Sequence, residues 1–262
     1  MPELDALRER LRDIGDVIVA FSGGADSAFL AWVANDTLGT EHVVAATAVS
    51  ASLAGDELAD CRALTSEWGL QSVEVTTAEV DNDEYRANGG DRCYWCKSSL
   101  MDALVPLAEA SGAAVALGVN LDDLGDHRPG QQAAAERGAV FPLVDAGFTK
   151  ADVREWSQRL GLRTWDKPAA ACLASRVPYG TAVTVEVLSR IERAERALRA
   201  IGFRELRVRH YEDTARLEVP IDDLERVLTA RAAVVEAVRA AGYAYVTLDL
   251  EGLRSGNLNA AL

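Results

Sequence analysis

Ser22-Gly23-Gly24-Ala25-Asp26-Ser27 is the stretch that decides the fold class. The apolar run Val17-Ile18-Val19-Ala20-Phe21 leads into it, and Ala28-Phe29-Leu30-Ala31-Trp32 follows. A short unbroken apolar run ending in Ser-Gly-Gly predicts a buried parallel strand that enters a tight turn. Apolar positions 29, 30 and 33 predict the helix into which the turn opens. Two adjacent glycines have no Cβ to block positive φ, so the backbone can turn its N–H groups inward. Those amides and the positive end of the helix make an anion site, to which Ser22 and Ser27 add hydroxyls.

No lysine follows in the Gly-Lys-Ser/Thr order of a Walker loop; Asp26 stands inside the turn instead. A carboxylate beside phosphate is sound chemistry when Mg²⁺ lies between them. The loop resembles the PP-loop of the ATP pyrophosphatases. That resemblance implies ATP and Mg²⁺ as ligands and adenylation of a substrate oxygen as the reaction.

The 262 residues suffice for one large domain or two smaller ones, and 49% hydrophobic with 26% charged content is that of a soluble globular protein. No stretch reaches the length of a membrane span, and Met1-Pro2-Glu3-Leu4-Asp5 lacks a basic, apolar signal. A cytoplasmic location without a membrane partner is therefore expected. The net charge of −14 repels a polyanion, which favours a small nucleotide substrate over nucleic acid. Four cysteines at these spacings are not a disulfide scaffold.

Outward from the loop, Leu4, Leu7 and Leu11 predict an amphipathic helix over 4–13. Strands are predicted at Val43–Val49, Ser72–Thr76, Ala113–Val119 and Val140–Leu143, with a helix over Glu57–Trp68. On that helix Leu58, Cys61, Leu64 and Trp68 share one face, which makes Cys61 a core residue. Asp81–Asp91 is acidic and irregular; a helix follows Arg92-Cys93-Tyr94-Trp95-Cys96-Lys97 and runs to about Ala110. A short Ala-rich helix follows Asp126-His127-Arg128-Pro129-Gly130, and Thr149 with Asp152 is spaced as a capping box. His127 and Arg128 are expected to be structural or adjacent to nucleotide.

Alternating strands and helices imply an α/β fold, an open parallel sheet covered by helices on both faces, with ligands beyond the carboxyl ends of its strands. The loop at Ser22–Ser27 and the segment Gly118-Val119-Asn120-Leu121-Asp122-Asp123 both fall at such ends. Asn120 and Asp123 thus join Ser22, Gly23, Gly24, Asp26 and Ser27 as candidate nucleotide ligands. From residue 182 a long helix over Glu186–Ile201, strands at Glu205–His210 and Ala215–Val219, helices in 221–241 and a strand at Ala244–Leu250 form an α+β pattern. The expected division is therefore 1–181 and 182–262, with a disordered-looking tail after Gly256.

Cys93 and Cys96 form a C-x-x-C, open between a redox dithiol, half a zinc site and a pair of cluster ligands. Cys172 lies in Lys167-Pro168-Ala169-Ala170-Ala171-Cys172-Leu173-Ala174-Ser175-Arg176, a stretch with no clean period. It reads either as a thiolate site beside Arg176 or as a buried small residue in an Ala-rich turn.

S-G-G-A-D-S, R-C-Y-W-C-K, G-V-N-L-D-D, D-H-R-P-G and A-C-L-A-S-R-V-P-Y-G, in this order, resemble the LarE family over residues 10–220. These are ATP-dependent sulfur transferases of nickel-pincer nucleotide biosynthesis, the cofactor of lactate racemase. The resemblance implies that a carboxylate of pyridinium-3,5-biscarboxylic acid mononucleotide is adenylated, with Asp26 and Cys172 as catalytic residues. A sulfur nucleophile then displaces AMP to give the thiocarboxylate. Sacrificial members spend their own cysteine, here Cys172, which ends as dehydroalanine. A three-cysteine branch carries sulfur on a 4Fe–4S cluster, and Cys93, Cys96 and Cys172 resemble its ligands. Two ligands at C-x-x-C spacing plus one distant cysteine suit such a cluster, as do Arg92 and Lys97 beside the pair. The family also implies a homo-oligomer that works with other nickel-pincer or lactate racemase proteins.

Arg207 and Arg209 alternate with apolar residues and are expected on one exposed strand face, with Arg216 and Glu218 on the next. In so acidic a chain these arginines are candidate phosphate ligands. The resemblance points the same way and adds Arg176 to the candidates for the substrate's phosphate. Three other functions remain open: a PP-loop tRNA thiolase with a 4Fe–4S cluster, a non-catalytic nucleotide-binding module, and an amidating ligase. The acidic charge weighs against the first, and no ammonia source is apparent for the last.

Overall fold

The computed structural model describes residues 2–125, 129–168, 171–254 and 257. In chain order the elements are α1 (Leu4–Ile14), β1 (Val17–Ala20), α2 (Ala25–Leu38), β2 (Val43–Val49), α3 (Gly55–Glu67), β3 (Gln71–Thr76), α4 (Asp83–Ala87), α5 (Arg92–Ser111) and β4 (Ala114–Leu117). They continue through α6 (Pro129–Glu136), α7 (Pro142–Asp145), α8 (Lys150–Arg159), α9 (Val185–Ala200), β5 (Arg207–Tyr211), β6 (Thr214–Glu218), α10 (Leu224–Thr229), α11 (Arg231–Ala240) and β7 (Tyr245–Leu248). Among the described residues no helix is long and apolar enough to cross a membrane. The tail after Gly256, and His127 with Arg128, fall outside the described residues except for Asn257.

The chain divides into two compact units, one of residues 1–79 and 93–170 and the other of residues 80–92 and 171–262. In the first unit four parallel strands run in the order β3-β2-β1-β4. Strand parity explains its two cores. Val17 and Val19 of β1 face one way, toward a cluster with Leu7, Phe29, Leu30 and Val153. Ile18 faces the other, toward Met101, Leu104 and Ala134. With both faces covered, β1, β2 and β4 are almost wholly apolar, as buried parallel strands require, while the edge strand β3 is largely polar and exposed. Strand order reverses between β1 and β4, so the crevice at their carboxyl ends is the place where such sheets hold ligands.

Two departures from sequence expectation have local causes. The predicted strand at Val140–Leu143 shrinks to one bridge between Ala116 and Val140. Pro142, which has no N–H to donate, starts α7 instead. The C-x-x-C lies inside the first turns of α5 rather than ahead of it.

In the second unit β5 pairs antiparallel with β6, and β6 pairs parallel with β7. Val208, Ala215 and Leu217 pack with Ala194, Leu198, Val227, Val234 and Val238 from α9, α10 and α11. This unit takes in two segments that the sequence division at 181/182 places with the sheet domain. The reason is Asn88, which is fully buried in a left-handed conformation with φ of 56°. Its Nδ2 donates to the carbonyls of Val177 (3.3 Å), Pro178 (2.8 Å) and Thr181 (2.9 Å), fastening 171–181 to 80–92. The irregular acidic stretch also holds α4, whose N-cap Asn82 accepts from the backbone of Glu84 and Tyr85.

Gly118 lets the end of β4 press on the first turn of α2. A Cβ there would lie 2.7 Å from the Ser27 nitrogen and 2.8 Å from the Asp26 carbonyl carbon, both backbone atoms. Gly118→Ala is therefore expected to destabilise the protein by about 1–3 kcal/mol through overpacking. Urea denaturation of the variant beside its parent is the measurement, and equal midpoints would refute the contact.

Candidate functional site: a phosphate loop and a cysteine turn

Gly23 takes a φ of 67°, a conformation open to glycine, and turns the chain from β1 into α2. Gly24 is the N-cap of α2 and brings no side-chain cap, so the first N–H groups of the helix are left to a ligand or water. The two serines brace the turn from within. The Ser22 N–H donates to Ser27 Oγ at 3.2 Å, and Ser27 Oγ donates to the Gly24 carbonyl at 3.2 Å. Cys61 of α3 packs beneath, where a Cβ on Gly23 would meet its Sγ at 2.9 Å. Burial pushes the Cys61 thiol up to about 11, against the opposing pull of the Lys167 ammonium. Cys61 is an inert core residue, as its helical spacing predicts.

The segment after β4 meets this turn. Asn120, 1% exposed, donates from Nδ2 to Asp26 Oδ1 at 3.2 Å. Asp123 accepts from the Asn120 N–H at 3.1 Å, and Asn120 Oδ1 accepts from the Asp122 N–H at 3.0 Å. Asp123 therefore sets the turn that aims Asn120. Asp26 has a second partner that sequence reasoning missed: the Lys150 ammonium stands on Oδ2. Lys150 opens α8, and its backbone N–H donates to Asp122 Oδ2 at 2.7 Å. The Thr149–Asp152 capping box that holds this helix start is present. The box gave the position of the helix, but nothing local marks Lys150 as the partner of a residue 124 positions away.

Cys93 and Cys96 lie three residues apart on α5 and share a face at the positive end of that helix. Cys93 is exposed, Cys96 is half-buried, and neither is in a disulfide. Gly130 of α6 sits against this turn, where a Cβ would lie 3.0 Å from the Cys93 carbonyl oxygen. Tyr94 stacks edge-on to Trp95 and donates its hydroxyl to Glu136 at 2.7 Å.

Cys172 belongs to the second unit, exposed at the start of a 3₁₀ turn over Leu173–Arg176. Three guanidinium groups hold this turn by its carbonyls. Arg176 donates to Ala171 (2.6 Å) and Cys172 (3.2 Å), Arg92 to Ala174 (3.0 Å), and Arg209 to Ser175 (2.6 Å). Arg176 also forms a two-pronged pair with Glu195 at 2.9 and 3.2 Å. Its nitrogens are thus spent on the Cys172 turn and on Glu195. Inside either unit, among the described residues, no group of three or more His, Cys, Asp or Glu side chains is gathered as a metal site.

The expected exposed arginine face is largely covered. Arg209 is 2% exposed and pairs at 2.8 Å with Glu218, which is itself fully buried. Strand parity does put Arg207 and Arg209 on one side, but the turn over 173–176 lies on that side and hides Arg209. Arg209 Nε has no hydrogen-bond partner among the described residues. Arg207 keeps partial exposure and donates to the Arg254 carbonyl at 3.1 Å. Burial, and then the like charges of Arg176 and Arg209, lower the Arg207 pKa from its ordinary value. Arg176 and Arg209 are already paired with Glu195 and Glu218, whereas the side-chain contact of Arg207 is to a neutral carbonyl.

A parallel sheet with reversed strand order, and a Ser-Gly-Gly-x-Asp-Ser turn at its switch point, give the first unit an α/β fold of the PP-loop superfamily kind. No protein-family model matches the chain. An uncharacterized protein of Synechocystis sp. is 46% identical over 263 positions, covering 99% of this chain and 98% of its own. Pyridinium-3,5-bisthiocarboxylic acid mononucleotide synthase of Lactiplantibacillus plantarum is 37% identical over 253 positions, 96% of this chain and 92% of its own. An uncharacterized protein of Methanocaldococcus jannaschii is 26% identical over 257 positions, 95% and 94% of the two chains. The chain belongs to the LarE family.

The cysteines should differ in reactivity. In metal-free protein at pH 8, iodoacetamide is expected to label Cys93 and Cys172 at least about a hundredfold faster than Cys61, whose thiolate is scarce. Peptide mass mapping over time reads this, and comparable labelling of Cys61 would contradict its burial.

Proposed function

We propose that this chain is an ATP-dependent sulfur transferase that turns a carboxylate of pyridinium-3,5-biscarboxylic acid mononucleotide into a thiocarboxylate. Its place would be in nickel-pincer nucleotide biosynthesis. Membership of a family with a mononucleotide synthase supports the substrate class. The observation that carries the reading is the exposed Cys172, set on a turn held by Arg92, Arg176 and Arg209. Three guanidiniums, that of Arg176 from the turn itself and those of Arg92 and Arg209 from outside it, grip the carbonyls of one short turn and so fix the placement of its cysteine.

The chemistry follows from the groups. A carboxylate is a poor electrophile, and adenylation by ATP gives it AMP as leaving group while pyrophosphate departs. Ser22, Gly23, Gly24 and Ser27 would bind that pyrophosphate through N–H and hydroxyl donors, with Asp26 holding Mg²⁺. The uncapped start of α2 fits this role. Asn120, fixed by Asp123, keeps Asp26 in place. A soft sulfur nucleophile then attacks the adenylate carbon and expels AMP. Arg207, the half-exposed one of the three, would hold the substrate's phosphate, and the buried Arg176 and Arg209 add their field.

Cys93, Cys96 and Cys172 fit thiolate ligation of a 4Fe–4S cluster by the chemistry of their donors, three thiols outside any disulfide. When bound, the cluster would supply an iron site able to carry the transferred sulfur. Cys93 and Cys96 present two thiols from one helix face, and Arg176 fixes the backbone of the third.

The test is made on anaerobically purified protein. Iron and sulfide are expected in the parent and lost in each of Cys93→Ala, Cys96→Ala and Cys172→Ala, with sulfur transfer lost alongside. Cys61→Ala should keep both. Loss of the mass of one H₂S from Cys172 after a single turnover would show sacrifice of the cysteine and overturn the cluster. Full transfer by Cys172→Ala would overturn the sulfur chemistry altogether.

Arg207→Ala is expected to weaken binding of the substrate nucleotide by about 1.5–3 kcal/mol, the scale of a charge-assisted contact. ATP affinity should not change. Melting temperature should hold or rise, because the removed charge sits among like charges. Calorimetric titration with each nucleotide decides, and equal weakening of both would place the residue at the wrong phosphate.

A further inference from the structure

The salt bridge between Lys150 and Asp26 puts an ammonium on the carboxylate that the phosphate loop would use for a divalent cation. We propose that Lys150 exchanges between two partners: Asp26 in the nucleotide-free protein, and the phosphates of ATP once a metal ion takes Asp26. The assignment rests on reading Ser22–Ser27 as the ATP loop.

Four observations carry it. Asp26 lies in the first turn of α2, between the two loop serines, so any phosphate seated on the N–H groups there is within reach of its neighbours. Asp26 uses both oxygens, Oδ1 for Asn120 and Oδ2 for Lys150, so a cation cannot take Oδ2 while the ammonium holds it. Lys150 is fixed at its backbone by Asp122 and by the capped start of α8, while its side chain keeps 36% exposure. Finally, Asp26 is 21% exposed and reachable by a solvated ion.

The physical reason is charge balance. A bare carboxylate inside an anion site repels phosphate, and an ammonium on it cancels that repulsion before the nucleotide binds. Mg²⁺ prefers a carboxylate oxygen together with phosphate oxygens; as Mg–ATP it brings the phosphate oxygens, and Asp26 supplies the carboxylate. The displaced ammonium is then a flexible point charge a short swing from the phosphates, a role in which lysine serves well. In the reaction it would steady the charge that builds on departing pyrophosphate. Lys150 thus does from α8 what the missing Walker lysine does from within its own loop.

The test uses full-length protein, Lys150→Met and Lys150→Arg. Mn²⁺ alone, read by electron paramagnetic resonance without nucleotide, should bind Lys150→Met about tenfold tighter than the parent, because Oδ2 of Asp26 is freed. Mg–ATP, read by calorimetry, should bind Lys150→Met about ten- to a hundredfold more weakly, with Lys150→Arg recovering part of the loss. Circular dichroism should match in all three, since any residue at 150 supplies the N–H to Asp122. An unchanged Mn²⁺ affinity or an unchanged Mg–ATP affinity in Lys150→Met overturns the exchange. A parent that binds no ATP overturns the ATP reading itself, and that result is seen before any variant is compared.

Discussion

The first unit depends on one close approach, the backbone of Gly118 against the backbone of Asp26 and Ser27. It is what sets the end of β4 against the turn after β1. A Cβ at 118 would press on that backbone, two residues from the Asn120 that reaches Asp26. The contact therefore joins two loops that lie far apart in sequence into one polar surface at the switch point. Lys150 completes it from a third direction, through an α8 whose start is pinned by Asp122.

The second unit is organised on a different principle, around buried carboxylates. Glu195 is fully buried and accepts from Arg176, from Arg199 at 2.9 Å and from the Val208 N–H at 3.1 Å. Glu218, equally buried, accepts from Arg209, from Arg216 at 3.3 Å and from Asn257 at 2.7 Å. Buried ion pairs contribute little net stability, but removing one partner leaves a costly uncompensated charge. Their consequence here is placement. Each glutamate orients an arginine whose remaining donors grip the turn that carries Cys172. An exposed thiol on a small, Ala-rich turn is thereby held from below without losing access to solvent.

The two units show why similar residue types take different roles. Cys61 and Cys172 are both single cysteines near a cation, yet one is packed under a glycine and the other stands open. Arg207 and Arg209 share a strand face, yet one keeps contact with solvent and the other is spent on Glu218 and Ser175. Surroundings rather than identity separate the structural member of each pair from the candidate functional one.

By itself the sequence determined what local pattern can encode. The apolar run into Ser22–Ser27 specified strand, turn and helix; the alternation of elements specified a parallel sheet; helical spacing put Cys61 in the core; and Thr149 with Asp152 marked the start of α8. These are short-range matters of backbone preference and periodicity, and five ordered motifs carried the family resemblance. Tertiary structure alone decided what depends on distant partners. It cut the strand at 140–143 to a single bridge, because Pro142 begins a helix. It moved 171–181 to the second unit, because Asn88 donates to three of its carbonyls. It covered Arg209 and set Lys150 on Asp26, pairings across 34 and 124 residues. Parity along a strand says which side a residue faces, but what covers that side is settled only when the remote segments pack.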